Sequence, residues 1–344
     1  MTKPISSAAK QYGAKKSMLL ENTSNKQKVA FKEKRNYDIE NLGMVTDAVW
    51  DDLNEDGLPD LIVVGEWMPL TILLNTNGNL SKSDDYNLNN STGWWTSIVP
   101  FDFDNDGDLD LVTGSDEDGE DYELVVWEND GTPFTSTWSS NNAGATVGGI
   151  LSVELADFDN DGDLDIISGT ENDENYELIM WRNGDDPFDG TWTQFDVGTT
   201  TGSIEALSIG DYDDDGLIDI SAATGVGSDD IKVWKNDGSP WDGNTWSSNT
   251  VGEPTTETYD LQSADFDNDG DIDLAISTNA AENYELILWQ NDGSPFTGTW
   301  SQNDIGTAQG NLRTISIGDL DNDGDIDIAA AEGNTGESSS YEVK

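Results

Sequence analysis

A nine-residue acidic segment recurs six times along the chain: DLNEDGLPD from Asp52, DFDNDGDLD from Asp102 and again from Asp157, DYDDDGLID from Asp211, DFDNDGDID from Asp265 and DLDNDGDID from Asp319. Successive starts lie 50, 55, 54, 54 and 54 residues apart. So regular a period marks a repeat architecture, in which one small unit cannot bury its apolar face alone and does so against its neighbours. Any fold proposed for this chain must therefore be one unit built over and over.

Each unit reads as four short strands. In the third copy GILSVELA (149–156) leads into the acidic segment, DIISGT (165–170) follows it, YELIMW (176–181) is third and WTQFDVG (192–198) is fourth. All are rich in β-formers and bounded by turns. Between third and fourth strands lie NDGTPF (129–134), NGDDPF (183–188), NDGSPW (236–241) and NDGSPF (291–296), which supply the Gly and Pro of a hairpin. No stretch has a helical period. The expected fold is all-β, a β-propeller of about six four-stranded blades, because propeller repeats run to roughly 40–50 residues. The alternative is a fragment of a seven- or eight-bladed propeller.

The two ends complement each other. The chain stops at SSSYEVK, where Tyr341 and Glu342 match Tyr176 and Glu177 at the start of a third strand. Near the start, SMLLENTSNKQ (17–27) resembles the third-strand segment at 122–132, and VAFKEKRNYDI (29–39) suits a fourth strand. The expected layout is a disordered segment at 1–15 and a propeller over 16–344, its last blade completed by the N-terminal strands, which would remove exposed sheet edges.

Every acidic segment places an oxygen-bearing side chain at positions 1, 3, 5 and 9 and Gly at position 6. The candidate metal ligands are Asp52, Asn54, Asp56 and Asp60; Asp102, Asp104, Asp106 and Asp110; Asp157, Asp159, Asp161 and Asp165; Asp211, Asp213, Asp215 and Asp219; Asp265, Asp267, Asp269 and Asp273; and Asp319, Asp321, Asp323 and Asp327. A hard cation such as Ca²⁺ takes six to eight oxygens at about 2.3–2.6 Å, and alternate residues of a curled loop can aim several carboxylates at one centre. About six Ca²⁺ per chain are expected, with Asn54 marking the weakest site. The loop is not an EF-hand, because position 12 holds Val63, Thr113, Ser168, Ala222, Ile276 and Ala330 in place of the bidentate Glu. Position 2 is apolar throughout (Leu53, Phe103, Phe158, Tyr212, Phe266, Leu320), which predicts that each loop is anchored in the core.

The spaced DxDxDGxxD loops over residues 44–330 resemble the FG-GAP/VCBS repeat family, whose motif lies between the first two strands of a blade, as in the integrin α-subunit head. The phrases GMVTDAVWDDLNEDGLPDLIVVGEWMP (43–69) and STGWW (91–95) also resemble bacterial relatives of cartilage acidic protein, over about the first third of the chain. The resemblance implies an extracellular or cell-surface, calcium-stabilised module that contacts a protein or carbohydrate ligand.

Charge narrows the partners. With 70 acidic and 15 basic residues the formal charge is -55, a field that repels nucleic acid and anionic membranes and attracts cations. The N-terminal stretch has no continuous apolar run, so membrane insertion is not expected. The chain has no His and no Cys, which excludes Ser–His triads, thiol nucleophiles and imidazole-held catalytic metals. The expectation is a binding module and not an enzyme. The rivals are a calcium-dependent polysaccharide lyase or glycoside hydrolase of propeller fold, and a scaffold domain of a larger surface protein. The recurrent pairs Trp127 and Trp138, Trp181 and Trp192, Trp234 and Trp246, Trp289 and Trp300 read as packing residues. Trp94 and Trp95, outside that pattern, read as candidates for exposed contact.

Overall fold

The computed structural model describes residues 19–22, 31–34, 36–82, 88, 92–116, 123–146, 148–171, 176–184, 186–190, 192–200, 202–225, 231–243, 246–254, 256–279, 286–306, 312–319 and 323–332. The expected disorder of 1–15 and the terminal SSSYEVK lie outside these residues. The chain divides into two compact units, Met1–Thr113 with Trp127–Ser140, and Gly114–Val126 with Asn141–Lys344.

The first unit opens with β1 (Leu19–Asn22) and β2 (Phe31–Lys34), an antiparallel pair. Of the fourth strand expected over 29–39, Phe31–Lys34 is strand and Tyr37–Ile39 is not. Tyr37–Glu40 forms a single helical turn, α1, because the Asn36 side chain caps it by accepting from the Asp38 and Ile39 backbone N–H groups at 3.0 and 3.2 Å. Next come β3 (Met44–Asp51), β4 (Asp60–Pro69), β5 (Thr71–Thr76) and β6 (Asn79–Lys82), hydrogen-bonded in that order. Here the third and fourth strands are joined by Asn77 and Gly78, both at positive φ, the two-residue turn that matches strand twist. β4 outruns its neighbours, and its far end pairs with β7 (Thr92–Phe101), Glu66 opposite Trp94 and Pro69 opposite Thr92. The first repeat is thus a four-stranded sheet hydrogen-bonded to the next strand, a departure from separate blades. β7 is followed by β8 (Asp110–Ser115), β9 (Leu124–Glu128) and β10 (Ser139–Gly144) in sheet order.

The second unit repeats one antiparallel sheet. β11 (Ile150–Ala156), β12 (Asp165–Thr170), β13 (Tyr176–Arg182) and β14 (Thr193–Thr200) form the first four-stranded sheet. β15 (Ile204–Gly210), β16 (Asp219–Thr224), β17 (Ile231–Lys235) and β18 (Ser247–Gly252) form the second. β19 (Thr258–Ala264), β20 (Asp273–Thr278), β21 (Leu286–Gln290) and β22 (Ser301–Gly306) form the third. β23 (Leu312–Gly318) and β24 (Asp327–Glu332) pair as a fourth, two-stranded set. In all six copies the acidic segment joins the first strand to the second, as the sequence predicts.

Burial grades across each sheet. The second strands β12, β16 and β20 are buried at every residue, which explains their small and branched sequences DIISGT, DISAAT and DLAIST. The fourth strand β22 is almost wholly exposed. First strands of successive sheets lie against one another, with the Ser152 hydroxyl accepting from the Leu207 N–H at 3.2 Å and Asp260 accepting from Thr314 and Ile315, both at 2.8 Å.

The third-strand tryptophans do pack between repeats. Trp181, Trp234 and Trp289 are buried, and each covers a glycine at or near the end of the preceding fourth strand. A Cβ at Gly144 would meet the Trp181 ring at 2.0 Å, one at Gly198 the Trp234 indole nitrogen at 2.5 Å, and one at Gly252 the Trp289 ring at 2.1 Å. These glycines are needed for close approach. Trp181 also donates its indole N–H to the Ser168 hydroxyl at 2.9 Å.

Trp181→Ala is expected to cost about 3–5 kcal/mol as a large truncation in a packed interior. Gly144→Ala should cost about 1–3 kcal/mol by overpacking the same contact. Because both act on one interface, the double variant should lose markedly less than the sum of the two losses in urea unfolding; strict additivity would count against the packing described.

Candidate metal centre

The loop is shaped by its own backbone. In the copy from Asp102, the Asp106 N–H donates to Oδ1 of Asp102 at 3.1 Å and of Asp104 at 3.2 Å, the Gly107 N–H to Asp102 Oδ2 at 3.1 Å, and the Asp108 N–H to Asp106 Oδ1 at 2.9 Å. The copies from Asp52 and Asp157 repeat all four bonds. Position 4 lies in the left-handed region at Glu55, Asn105, Asn160, Asp214 and Asn268, with φ of 55–60°. Gly107 follows at φ 103°, and an added Cβ there would touch nothing. Backbone conformation, and not space, requires glycine at position 6.

Position 2 anchors the loop as expected. Leu53, Phe103, Phe158 and Tyr212 are buried and Phe266 is half-buried, while Leu320 lies outside the described residues. Position 9 is different in kind from the other ligands: Asp60, Asp110, Asp165, Asp219 and Asp273 are all buried. Asp110 accepts from the Phe103 N–H at 3.0 Å and from the Asn129 N–H at 2.8 Å, the second from beyond the third strand. Asp219 does the same with Tyr212 at 3.1 Å and Asn236 at 2.8 Å. In the first loop Asp60 accepts from Asn75 at 2.7 Å, yet its buried Oδ2 has no hydrogen-bond partner.

Four loops gather three carboxylates each, short of the four expected, with Asp106, Asp161, Asp215 and Asp273 outside the sets. Oxygens of Asp102, Asp104 and Asp110, of Asp157, Asp159 and Asp165, of Asp211, Asp213 and Asp219, and of Asp265, Asp267 and Asp269 lie within 4.8 Å of one another in each set. Two oxygens bound to one calcium at 2.3–2.6 Å can be no more than about 5 Å apart, so these sets fit a shared ion. Among the described residues the first loop gives no such set, although the buried Asp60 Oδ2 has no hydrogen-bond partner. In the sixth, Asp319 and Asp323 hold the loop form, Asp327 is half-buried, and Asp321 lies outside the described residues.

Burial pushes the Asp110, Asp165 and Asp219 carboxyls up to about 7 and those of Asp60 and Asp273 up to about 6, from an ordinary 3.8, although the N–H bonds they accept pull the other way. Such a group binds its proton in the folded chain at pH values where the unfolded chain has lost it.

Two sets of residues escaped the sequence reading. Asn75, Asn129, Asn183, Asn236 and Asn291 all donate a backbone N–H to position 9. Asn236 and Asn291 also reach the preceding loop, donating to the carbonyls of Phe158 at 2.9 Å and Tyr212 at 3.3 Å. Their signal was the fixed place two residues after the repeated Trp, read only as the start of a turn. Trp67 was missed as well: it sits at φ 54° and is 46% exposed, with its ring edge-on to Trp94 at 5.6 Å. Trp95 corrects the expectation of exposed contact. Strand alternation turns it inward, where it is buried against Trp127 at 6.0 Å.

A four-stranded antiparallel unit, repeated with its first strands abutting and an acidic loop after each, defines a β-propeller. Solved structures share that fold: Sqt1 of Chaetomium thermophilum (13% identity, 91% of this chain and 73% of that one, TM-score 0.57), BBS1N in its complex with ARL6DN (11%, 89% and 80%, 0.54) and Sqt1 of Saccharomyces cerevisiae (14%, 89% and 72%, 0.51). At such identities the likeness concerns the fold alone. Residues 52–113, 113–168 and 265–330 match the FG-GAP-like repeat, together more than half of the chain, which belongs to that family. No curated protein matches it.

The raised carboxyls fix the sign of a pH effect. With metal chelated, the folded chain holds more protons than the unfolded chain between pH 4 and 7, so stability is greatest below about pH 4 and falls as pH rises through 6–7. A bound cation, which prefers the ionised form, should reverse that slope. Calorimetry from pH 4.5 to 7.5, in chelator and in calcium, reads both; parallel curves would contradict the assignment.

Proposed function

We propose that this chain is a calcium-binding, extracellular propeller module that holds a protein or carbohydrate partner and performs no catalysis. The observation that carries the reading is the recurrent loop in which, in the copies from Asp102, Asp157 and Asp211, a buried position-9 carboxylate faces two further aspartates. That donor set is all hard oxygen, which selects Ca²⁺ or Mg²⁺ over softer metals. Calcium is favoured because its larger, flexible shell tolerates loops that differ in detail, whereas Mg²⁺ demands a tight octahedron. The extracellular setting follows from supply, since modules with exposed calcium loops work at about 10⁻⁴–10⁻³ M.

A binding role is supported by the absence of His and Cys and by an aromatic pair made of exposed Trp67 and half-buried Trp94. Trp67 is a bulky residue held in a backbone region that such residues resist, with its ring in solvent beside Trp94. The BBS1N propeller seen with ARL6DN lends support to a protein partner. Among the described residues no helix is long and apolar enough to cross a membrane.

Calcium is expected to be part of the folded state. A site at a hundredfold excess of free calcium over its dissociation constant adds about 2.7 kcal/mol, so several sites together rival the stability of an ordinary domain. Excess chelator should lower the melting temperature by tens of degrees, with poor rescue by Mg²⁺, and metal analysis should find about six Ca²⁺ per chain. Identical melting in chelator and in millimolar calcium would refute this.

For the partner, glycan and protein arrays probed in millimolar calcium should return a ligand that Trp67→Ala weakens at unchanged melting temperature. Retention of every array signal by that variant would remove the aromatic pair from the contact surface.

A further inference from the structure

The residue immediately before each loop-holding asparagine changes charge from repeat to repeat: Leu74, Glu128, Arg182, Lys235 and Gln290. It ends the third strand, and in three repeats the structure places it on the acidic loop. In the loop from Asp157, Arg182 Nη2 lies 3.1 Å from Asp159 Oδ2 and 3.4 Å from Asp161 Oδ2. In the loop from Asp211, Lys235 Nζ contacts Asp213 Oδ2 and lies 2.8 Å from Asp215 Oδ2. In the loop from Asp265, the neutral Gln290 amide donates to Asp267 Oδ2 at 2.7 Å. Glu128 brings a further negative charge to the loop from Asp102, where it opposes ionisation of Asp104 behind the larger effect of burial.

The two cations sit in a built seat. The Arg182 guanidinium lies 5.6 Å from the ring centre of Trp241, whose indole N–H donates to Asp159 Oδ2 at 2.5 Å. Lys235 Nζ lies 5.3 Å from the ring centre of Phe296. Trp241 and Phe296 close the equivalent turns NDGSPW and NDGSPF of the following repeats. Each cation is thus held between its own loop and an aromatic face of the next repeat, an arrangement favourable to a positive charge.

We propose that this position sets the cation affinity of its loop: Arg182 and Lys235 are resident counter-ions that a divalent cation must displace, whereas at the same position Glu128 and Gln290 bring no cation to their loops. The proposal rests on the calcium reading and adds a gradation to it. An ammonium or guanidinium on the position-3 and position-5 carboxylates offsets their mutual repulsion when metal is scarce, and opposes a second cation at the same oxygens. Sites three and four therefore fill after the sites beside Glu128 and Gln290, and the array responds over a broad calcium range.

The test is calorimetric titration of the full chain with Ca²⁺, together with melting in chelator. The wild-type chain should show tight and weak classes of site. Lys235→Gln should move one equivalent from the weak class to the tight one, a gain of about tenfold, while lowering the melting temperature in chelator. Gln290→Lys should move one equivalent the other way by a similar factor. A residue with only a packing role would lower both stability and affinity when replaced, so a loss of calcium affinity in Lys235→Gln overturns the proposal. So do variants whose titrations match the wild type. Should Lys235→Gln fail to fold in chelator, the half-exposed Gln290→Lys carries the test by itself. A wild-type chain that binds no calcium defeats the calcium reading itself, whereas calcium binding with unresponsive variants defeats only the gradation.

Discussion

A carboxylate removed from water is the joint on which each described repeat turns. Aspartate is rarely buried, because desolvating its charge costs several kcal/mol unless the group is neutralised or well paired. Here position 9 is buried five times over, tied by N–H groups from the loop or from beyond the third strand. The joint connects three strands of a sheet through one side chain. In three loops it also faces two further aspartates, so its charge is offset by a proton or by a cation. The geometry of the sheet and this need for neutralisation have the same source.

That shared source makes the loops more than decoration on a finished scaffold. Position 2 enters the core, position 9 bonds across the sheet, and the asparagine after the third strand reaches back to the preceding loop. A change in one loop is therefore felt by its own sheet and by the next. Repeat proteins depend on such nearest-neighbour terms for their cohesion. In this chain polar contacts beside the acidic loops accompany an apolar interface that joins, for example, Tyr212, Ile231 and Val233 to Leu261, Leu274 and Trp289 of the next repeat.

The loops and the strand order were legible because their chemistry is local: alternate aspartates and a glycine over nine residues state both ligand set and backbone shape. The packing role of the third-strand tryptophans was legible from their period. The asparagines were not, since Asn129 looks like an ordinary turn residue and its bond to Asp110 spans 19 positions. Trp94 and Trp95 are adjacent and chemically identical, and only the pleat of β7 separates the half-buried one from the buried one. The first repeat hid its extended β4 because pairing of Glu66 with Trp94 depends on a bend at Trp67 that no propensity favours. The charge series from Leu74 to Gln290 was visible as letters and meaningless until the loops were seen beside it.

The reach of the asparagines sets a timetable for synthesis. Asn236 completes the loop that contains Phe158 and Asn291 the loop that contains Tyr212, spans of 78 and 79 residues. At about 5–20 residues per second, each loop emerges from the ribosome some 4–16 s before the residue that fastens it. Between the emergence of Tyr212 and that of Asn236 the nascent chain carries two acidic loops without their clasps. Assembly consequently advances as a front, each new repeat locking the one before it.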